Sequence, residues 1–343
     1  MSKGSRSHVE TKIICLGIES TAHTFSVGLV REDGEILAMK SSVYVPQVGG
    51  IHPREAAQHH SKHAPKVIGE ALKAAGITID DVDVIAYSMG PGLGPCLRTG
   101  ATIARALASY YNKPLVPINH CVAHIEIGRL LTGAEDPLVV YVSGGNTIVS
   151  AFSGGKYRVF GETLDIALGN CLDVFAREAG IAPPYIIGDL HVIDYYAQKG
   201  KNIIDLPYIV KGQDLSFSGL LTAALKRLRE NVDINDLCLS FRETAYNMVV
   251  EVAERALAYT GKSELLLTGG VAASPILQSK LSLMASEHKA RFYVTPSKYA
   301  GDNGVMIAWN GILAFKHGIT VNIEHARVKQ RWRLDEVEVP WRL

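Results

Sequence analysis

Short apolar runs broken by glycine-bearing turns recur along this chain, and their spacing predicts an α/β protein. Lys12 to Ile18 is one such run. Phe25 to Val30 and Glu35 to Ser41 flank the turn Arg31-Glu32-Asp33-Gly34, which predicts a strand, a tight loop and then a hairpin. Between Arg54 and Gly76, the residues Ala56, Ala64, Val67, Ile68, Ala71 and Leu72 fall on one helical face. Asp83 to Ser88 reads as a strand that runs into Gly90-Pro91-Gly92-Leu93-Gly94-Pro95 and then a helix from Arg98 to Tyr111. Leu115 to Ile118 is a further strand, and Asn119 is placed to cap a helix carrying His120 and His124.

The pattern then restarts. Leu138 to Val142 is apolar and β-branched, Ser143-Gly144-Gly145-Asn146-Thr147 is a polar turn, and Ile148 to Phe152 with Lys156 to Phe160 predicts a second hairpin. Glu264 to Leu267 reads as a strand ending in Gly269-Gly270, with a helix from Ser274 to Met284. Strand, glycine loop and hairpin thus occur twice, as do strand, glycine loop and helix. Two copies of one βαβ-rich lobe, facing each other across a nucleotide cleft, is the economical reading. The expected boundary lies at Gly133 to Pro137, giving a first lobe over 12–135 and a second over 136–320, with tails at 1–11 and 321–343. The last helix, Val305 to Lys316, is a candidate to cross back to the first lobe.

At 343 residues the chain is long enough for two lobes, each with its own core. Its 35 basic residues nearly balance 34 acidic ones, which argues against gripping nucleic acid over a wide surface and leaves room for local patches. There is no apolar run long enough to span a membrane, and Met1 to Thr11 is too polar for a signal peptide. The five cysteines are scattered without CxxC spacing, so neither structural zinc nor a disulfide framework is expected and a reducing cytoplasm fits.

Three features carry candidate chemistry. Where a strand ends in glycine, backbone N–H groups can approach a phosphate; Ser143 to Thr147 and Leu267 to Ala272 have this form, although any one of them also suits an ordinary turn. Two histidine pairs, His59/His63 and His120/His124, have the spacing that puts both imidazoles on one helical face. His59 and His63 sit among His60, Ser61, Lys62 and Lys66, which reads as a solvated basic face. His120 opens a helix directly after a strand, where ligands are commonly mounted, and is the pair expected to hold metal. A zinc protease would need glutamate beside the first histidine, and Cys121 stands there. Asp302, in Gly301-Asp302-Asn303-Gly304, is the leading further ligand, against the alternative that Asp302 or Asn303 caps the following helix. Two histidines with a carboxylate, and a phenolate if one is near, suit iron or zinc.

With these residues in view the chain resembles the universal family that makes N6-threonylcarbamoyladenosine at position 37 of tRNA, known as TsaD in bacteria. The likeness runs from about Lys12 to Lys316. It rests on Gly17-Ile18-Glu19-Ser20-Thr21-Ala22, His52-Pro53-Arg54-Glu55-Ala56-Ala57, the Gly90 to Arg98 run, and Asn119-His120-Cys121-Val122-Ala123-His124-Ile125-Glu126. Further blocks are Tyr141 to Thr147, Gly161-Glu162-Thr163-Leu164-Asp165, Gly169-Asn170-Cys171-Leu172-Asp173, Asp214 to Leu220 and Gly301 to Gly304. The wording of the Tyr141 and Gly169 blocks is similar to the archaeal and eukaryotic branch, which works inside the KEOPS complex.

The resemblance implies an actin-like, sugar-kinase-like (ASKHA) pair of lobes. It implies one divalent metal, iron favoured over zinc, held by His120, His124, Tyr141 and Asp302. Tyr141, Val142, Ser143, Gly144, Gly145 and Asp173 would hold an adenine nucleotide, threonylcarbamoyl-AMP, whose acyl group passes to N6 of adenosine with release of AMP. Two other readings are a kinase or ATPase of the same fold and a non-catalytic subunit that organises partners. Two departures from the family stand out. Pro184 to Asp194 replaces a Pro-Gly-Gly-Pro stretch, so that Gly188 stands for one glycine and Asp194 for a glutamate that contacts the ribose. Ser274 stands where the family has asparagine. No general base beyond the metal site is identified. Partners would be tRNA and separate kinase and small KEOPS subunits, with Arg54, Lys62, Lys66, Arg98 and Arg105, or Arg327, Lys329, Arg331 and Arg333, as candidate RNA patches. The imidazoles are expected on one lobe and the Asp302 carboxylate on the other.

Overall fold

The computed structural model describes residues 12–46 and 49–343, so the polar start at 1–11 lies outside the described residues. Contacts divide the chain into two units: residues up to Ile118 with Asn303–Gln330, and Asn119–Asp302 with Arg331–Leu343.

In the first unit the expected strand and hairpin form β1 (Ile14–Glu19), β2 (Thr24–Arg31) and β3 (Ile36–Val43), joined as an antiparallel meander. α1 (Pro53–Ala75) follows, ended by Gly76 in the left-handed conformation at φ 69°. β4 (Val84–Gly90) pairs parallel to β1, α2 (Gly94–Tyr110) leaves it, and β5 (Leu115–Asn119) completes a sheet of order β3-β2-β1-β4-β5. β4 is buried along its whole length, as expected of a strand covered on both faces. Gly17 and Gly28 face each other across β1 and β2, and the helix Gly304–Lys316 lies against them. Ile18, the next residue along, meets Gly100 of α2 on the opposite face. The last helix therefore packs on the first sheet.

The second unit begins with α3 (His120–Thr132), then the meander β6 (Leu138–Val142), β7 (Thr147–Ser153) and β8 (Lys156–Glu162). α4 (Leu168–Glu178), the small hairpin β9 (Ile186–Ile187) and β10 (Leu190–His191), α5 (Val192–Ala197), the hairpin β11 (Val210–Lys211) and β12 (Asp214–Leu215), α6 (Ser218–Arg229) and α7 (Ile234–Thr260) follow. β13 (Glu264–Thr268), α8 (Pro275–Glu287) and β14 (Arg291–Val294) complete the unit, and β13 runs parallel to both β6 and β14. The order β14-β13-β6-β7-β8 repeats the first sheet: a meander whose first strand pairs parallel with a later one.

Alternation along β6 explains both cores of this unit. Leu138, Val140 and Val142 join Phe175, Phe241 and Val249 on one face, while Val139 and Tyr141 join Cys121, Val122 and Ile125 on the other. Each such fully buried Val, Leu, Ile or Phe contributes about 1.5–3 kcal/mol relative to exposure. α3 packs on β6 and β13, and for that reason the division falls at Ile118/Asn119 and not at 133–137. All the candidate metal ligands consequently belong to the second unit, which corrects the expectation that imidazoles and carboxylate come from different lobes.

Candidate metal centre

α3 starts where the sequence places it. Asn119 is extended, and its Oδ1 accepts from Cys121 N at 2.9 Å and Val122 N at 3.1 Å, which satisfies two of the amides a helix start leaves open. His120 and His124 follow one turn apart, with side chains 6% and 0% exposed. Directly after Asp302, Asn303 caps the next helix by accepting from Met306 N at 3.0 Å. The capping alternative thus falls to Asn303, and the Asp302 carboxylate turns to the histidines.

The three side chains converge. His120 Nε2 and His124 Nε2 are 3.2 Å apart, and Asp302 Oδ1 lies 3.4 Å from the first and 3.3 Å from the second. Ligands bound at about 2.0–2.1 Å to one tetrahedral ion stand about 3.3 Å from each other, so these separations fit a shared divalent cation. Burial alone would raise the Asp302 pKa, yet the facing His120 and His124 outweigh it and hold the carboxyl well below the usual range. Among the described residues this is the group of histidine, cysteine and carboxylate side chains whose geometry suits a metal.

Tyr141, at the end of β6, is fully buried, and its ring centroid lies 4.9 Å from that of His124. Burial, then Cys121 and Asp302, push its hydroxyl well above the ordinary phenol value. Its oxygen accepts from Asn146 Nδ2 at 3.4 Å and Ser143 Oγ at 3.5 Å, donors that would favour a phenolate beside a cation.

Beyond Tyr141 the strand-end loops meet. Ser143 Oγ accepts from Asn146 N at 3.0 Å, closing the turn and leaving Gly144 and Gly145 exposed. Gly269, at the end of the adjacent parallel strand β13, has φ 95°, and a Cβ there would stand 2.2 Å from Val142 O. α4 docks on the same turn through Gly169 N to Ser143 O at 3.1 Å and Leu168 N to Thr147 Oγ1 at 2.8 Å. Carboxyl ends of neighbouring parallel strands are where open α/β sheets bind ligands.

The divergent segment from Pro184 to Asp194 is ordered around this loop cluster. Gly188 makes the β9–β10 turn with φ 61° and is exposed. His191 caps α5, its Nδ1 accepting from Ile193 N at 3.3 Å, and its Nε2 lies 3.1 Å from Asp173 Oδ1. The cap fixes the tautomer, so Nε2 carries the proton and donates to Asp173. Asp194 and Ser274 are brought together: Ser274 Oγ donates to Asp194 Oδ2 at 2.7 Å, Tyr246 OH donates at 3.4 Å, and Asp194 is completely buried. Burial, partly offset by Ser274 and Arg242, raises the Asp194 pKa. Ser274 also caps α8, so it has a structural task here.

Two further sites were not assigned from the sequence. Asp165 accepts from Ser216 Oγ at 2.7 Å, Phe217 N at 2.9 Å and Ser218 Oγ at 2.5 Å, which ties the 161–165 block to the 214–220 block. His60 is not part of a solvated face: it is fully buried, its Nε2 bonds Ala22 O at 2.9 Å, and burial pushes its pKa down to about 4. The neighbouring His59 and His63 rings stack at 4.4 Å. Among the described residues the cysteines are free thiols and no helix is long and apolar enough to cross a membrane.

Comparison with known proteins places the whole chain. The chain is 60% identical over 338 residues to a tRNA N6-adenosine threonylcarbamoyltransferase of Hyperthermus butylicus, covering 97% of this chain and 93% of that one. It is 56% identical to the one from Staphylothermus marinus, covering 95% and 99%. Solved structures are more distant. A HypF from T. kodakarensis has a TM-score of 0.60 at 14% identity, over 92% of this chain and 50% of that one. Component A of the Acidaminococcus fermentans (R)-2-hydroxyglutaryl-CoA dehydratase has 0.56 at 14%, over 88% and 98%. These likenesses show the fold alone, the actin-like, sugar-kinase-like one with two mixed sheets. The model of the TsaD family, described as tRNA N6-adenosine threonylcarbamoyltransferase, matches residues 35–309, and the chain belongs to that family.

Proposed function

We propose that this chain transfers the threonylcarbamoyl group of threonylcarbamoyl-AMP to N6 of adenosine 37 in tRNAs that read codons beginning with A, releasing AMP. The observation that carries this reading is the convergence of His120, His124 and Asp302 in a chain of this family. With Tyr141 they would hold one divalent ion; the donor set suits iron or zinc, and the family resemblance favours iron. When bound, the ion supplies Lewis-acid polarisation of the acyl donor.

The chain's own residues do the rest. Tyr141 to Gly145 would hold the adenylate, with exposed backbone at Gly144 and Gly145 near its phosphate. The first amides of α4 are already engaged by Ser143 and Thr147, so they serve to fix the loop and not to bind anion. Asp173, whose side chain is 46% exposed, is the available carboxylate for the ribose, while Asp194 and Ser274 brace the loops from inside. Adenine N6 is a weak nucleophile, so orientation of donor and acceptor supplies much of the rate.

His191 separates two effects in a testable way. His191→Gln keeps a donor at the reach of Asp173 and loses the short cap, so it should cost about 1 kcal/mol in urea unfolding with the donor KM held. His191→Asn keeps a cap and releases Asp173, so the donor KM should rise several-fold with stability held.

Arg54, Lys62, Lys66, Arg98 and Arg105 are exposed on α1 and α2, with Lys66 beside Glu70; of the second group Arg327, Lys329 and Arg331 are also exposed, and Arg333 is paired with Glu162 and Asp335. The first group is the better RNA patch. With a net charge of +1 the lone chain should bind tRNA weakly at physiological salt, and KEOPS kinase and small subunits, as separate polypeptides, would strengthen the complex. The deciding experiment incubates the chain with synthetic threonylcarbamoyl adenylate, tRNA and those partners, with and without chelator, and analyses the digested nucleosides. Chelator-sensitive formation of the modified nucleoside is expected. Its absence would count against the transferase reading, and ADP formed from ATP and simple sugars would move the assignment to a kinase of the same fold.

A further inference from the structure

The helix that carries both histidines is held from behind by the last residues of the chain. Trp332 O accepts from Asn119 Nδ2 at 3.2 Å, at the cap just before His120. Leu334 and Val339, 3% and 0% exposed, pack into the cluster that contains Cys121, Val122, Ile125 and Tyr141. Val339 N also donates to Gly155 O at 2.8 Å, pinning the segment to the β7–β8 turn.

The strongest tie comes from Arg342. Its side chain is 5% exposed, and its guanidinium lies over the Phe152 ring at 4.4 Å. Nη2 donates to Glu135 O at 2.7 Å and Asp136 Oδ1 at 3.0 Å, just beyond the end of α3. Nη1 donates to Tyr157 OH at 3.1 Å, and that hydroxyl donates to Glu126 Oε1 at 2.6 Å. Glu126 lies on α3, is 1% exposed, and takes Arg129 Nη1 on its other oxygen at 2.7 Å. A buried carboxylate so fully partnered is costly to disturb, because loss of one partner leaves it unsatisfied in a low dielectric. Contacts at Asn119 and Glu126 bracket His120 and His124, so the roll and height of α3 relative to Asp302 depend on them.

We propose that Arg342 and Tyr157 are positioning residues for the metal centre: the 332–342 segment, through Asn119 and Glu126, sets α3 so that both imidazoles meet the Asp302 carboxylate. The proposal rests on the reading of His120, His124 and Asp302 as metal ligands. Outer partners of metal ligands typically change affinity by roughly 10–100-fold when removed.

The test uses the full chain and Co²⁺, titrated by its visible ligand-field absorption and by calorimetry. Tyr157→Phe keeps the apolar packing and removes the hydroxyl relay, and Arg342→Ala removes the anchor. Both should weaken Co²⁺ binding about ten-fold or more and alter the absorption band. Glu338→Ala removes an exposed ion pair with Lys156 on the same segment and should change neither. Arg342→Lys, which keeps charge but not the fork of donors, should recover only part of the affinity. If Tyr157→Phe and Arg342→Ala melt at lower temperature yet bind Co²⁺ with unaltered affinity and spectrum, the segment only stabilises the fold and the proposal is wrong. Failure of the unaltered chain to bind Co²⁺ would overturn the metal assignment itself, and the proposal with it.

Discussion

Asp302→Asn should abolish binding of a divalent ion at the proposed centre and lower threonylcarbamoyl transfer by at least about 100-fold, beyond the usual effect of losing an outer partner. The substitution preserves shape, and the adjacent helix keeps its own cap because Asn303 supplies it. What changes is charge: Asp302 is the anionic member of the three converging side chains, and the facing histidines hold it ionised although it is largely enclosed. A neutral amide would present a weaker donor and leave the site with two imidazoles. Metal content by elemental analysis and modified nucleoside by chromatography would both fall, while the far-ultraviolet spectrum stays the same. Full metal content and full transfer in the Asp302→Asn variant would contradict the assignment. His124→Ala should behave alike, since His124 is the more deeply buried imidazole.

Gly17→Ala should cost more stability than a methyl group added at any of the exposed glycines. A Cβ at Gly17 would stand 2.2 Å from Ala308 N and 2.4 Å from Gly304 O, and one at Gly28 would stand 2.2 Å from Val305 N. These are backbone atoms, which cannot rotate aside, so the helix Gly304–Lys316 must lift from β1 and β2. Overpacking a core ordinarily costs 1–3 kcal/mol, and a clash with rigid backbone belongs at or above about 3 kcal/mol. Urea unfolding followed by circular dichroism measures it directly. Gly69→Ala provides the contrast, because a Cβ in that exposed turn of α1 meets nothing within 4 Å. It should stabilise the chain by about 0.5–1 kcal/mol. Equal effects at the two sites would mean that the close approach of helix and sheet is not what the glycines serve.

Much of the candidate site is legible without coordinates. Asn119 reads as a cap and His120/His124 as a pair on one face, because capping and helical period are local rules that a few neighbouring residues fulfil. The duplicated meander is legible for the same reason: hairpin turns and apolar runs declare themselves within ten residues. The choice between Asp302 and Asn303 as cap is not legible, since both side chains suit the role and only the position of α3 decides it. His60 shows the limit from the other side. Its neighbours are Lys62 and other polar residues, yet the register of α1 turns that one ring inward to Ala22 O. Asp194 reads as a ligand contact from its place in a motif, and the packing of α5 against α7, with Ser274 at the start of α8, encloses it.

Local interactions therefore determined from sequence the helices and strands of the first unit and the β6–β8 meander, where α3 begins, and which imidazoles share its face, whereas α4 to α7 were not read from it. Tertiary structure alone decided which distant groups meet: that Asp302 turns to those imidazoles, that His191 reaches Asp173, and that Arg342 reaches Glu126 through Tyr157. The physical reason is separation along the chain. A hydrogen bond or metal set joining residues far apart in sequence depends on the register of sheets and the docking of helices, which no short pattern specifies.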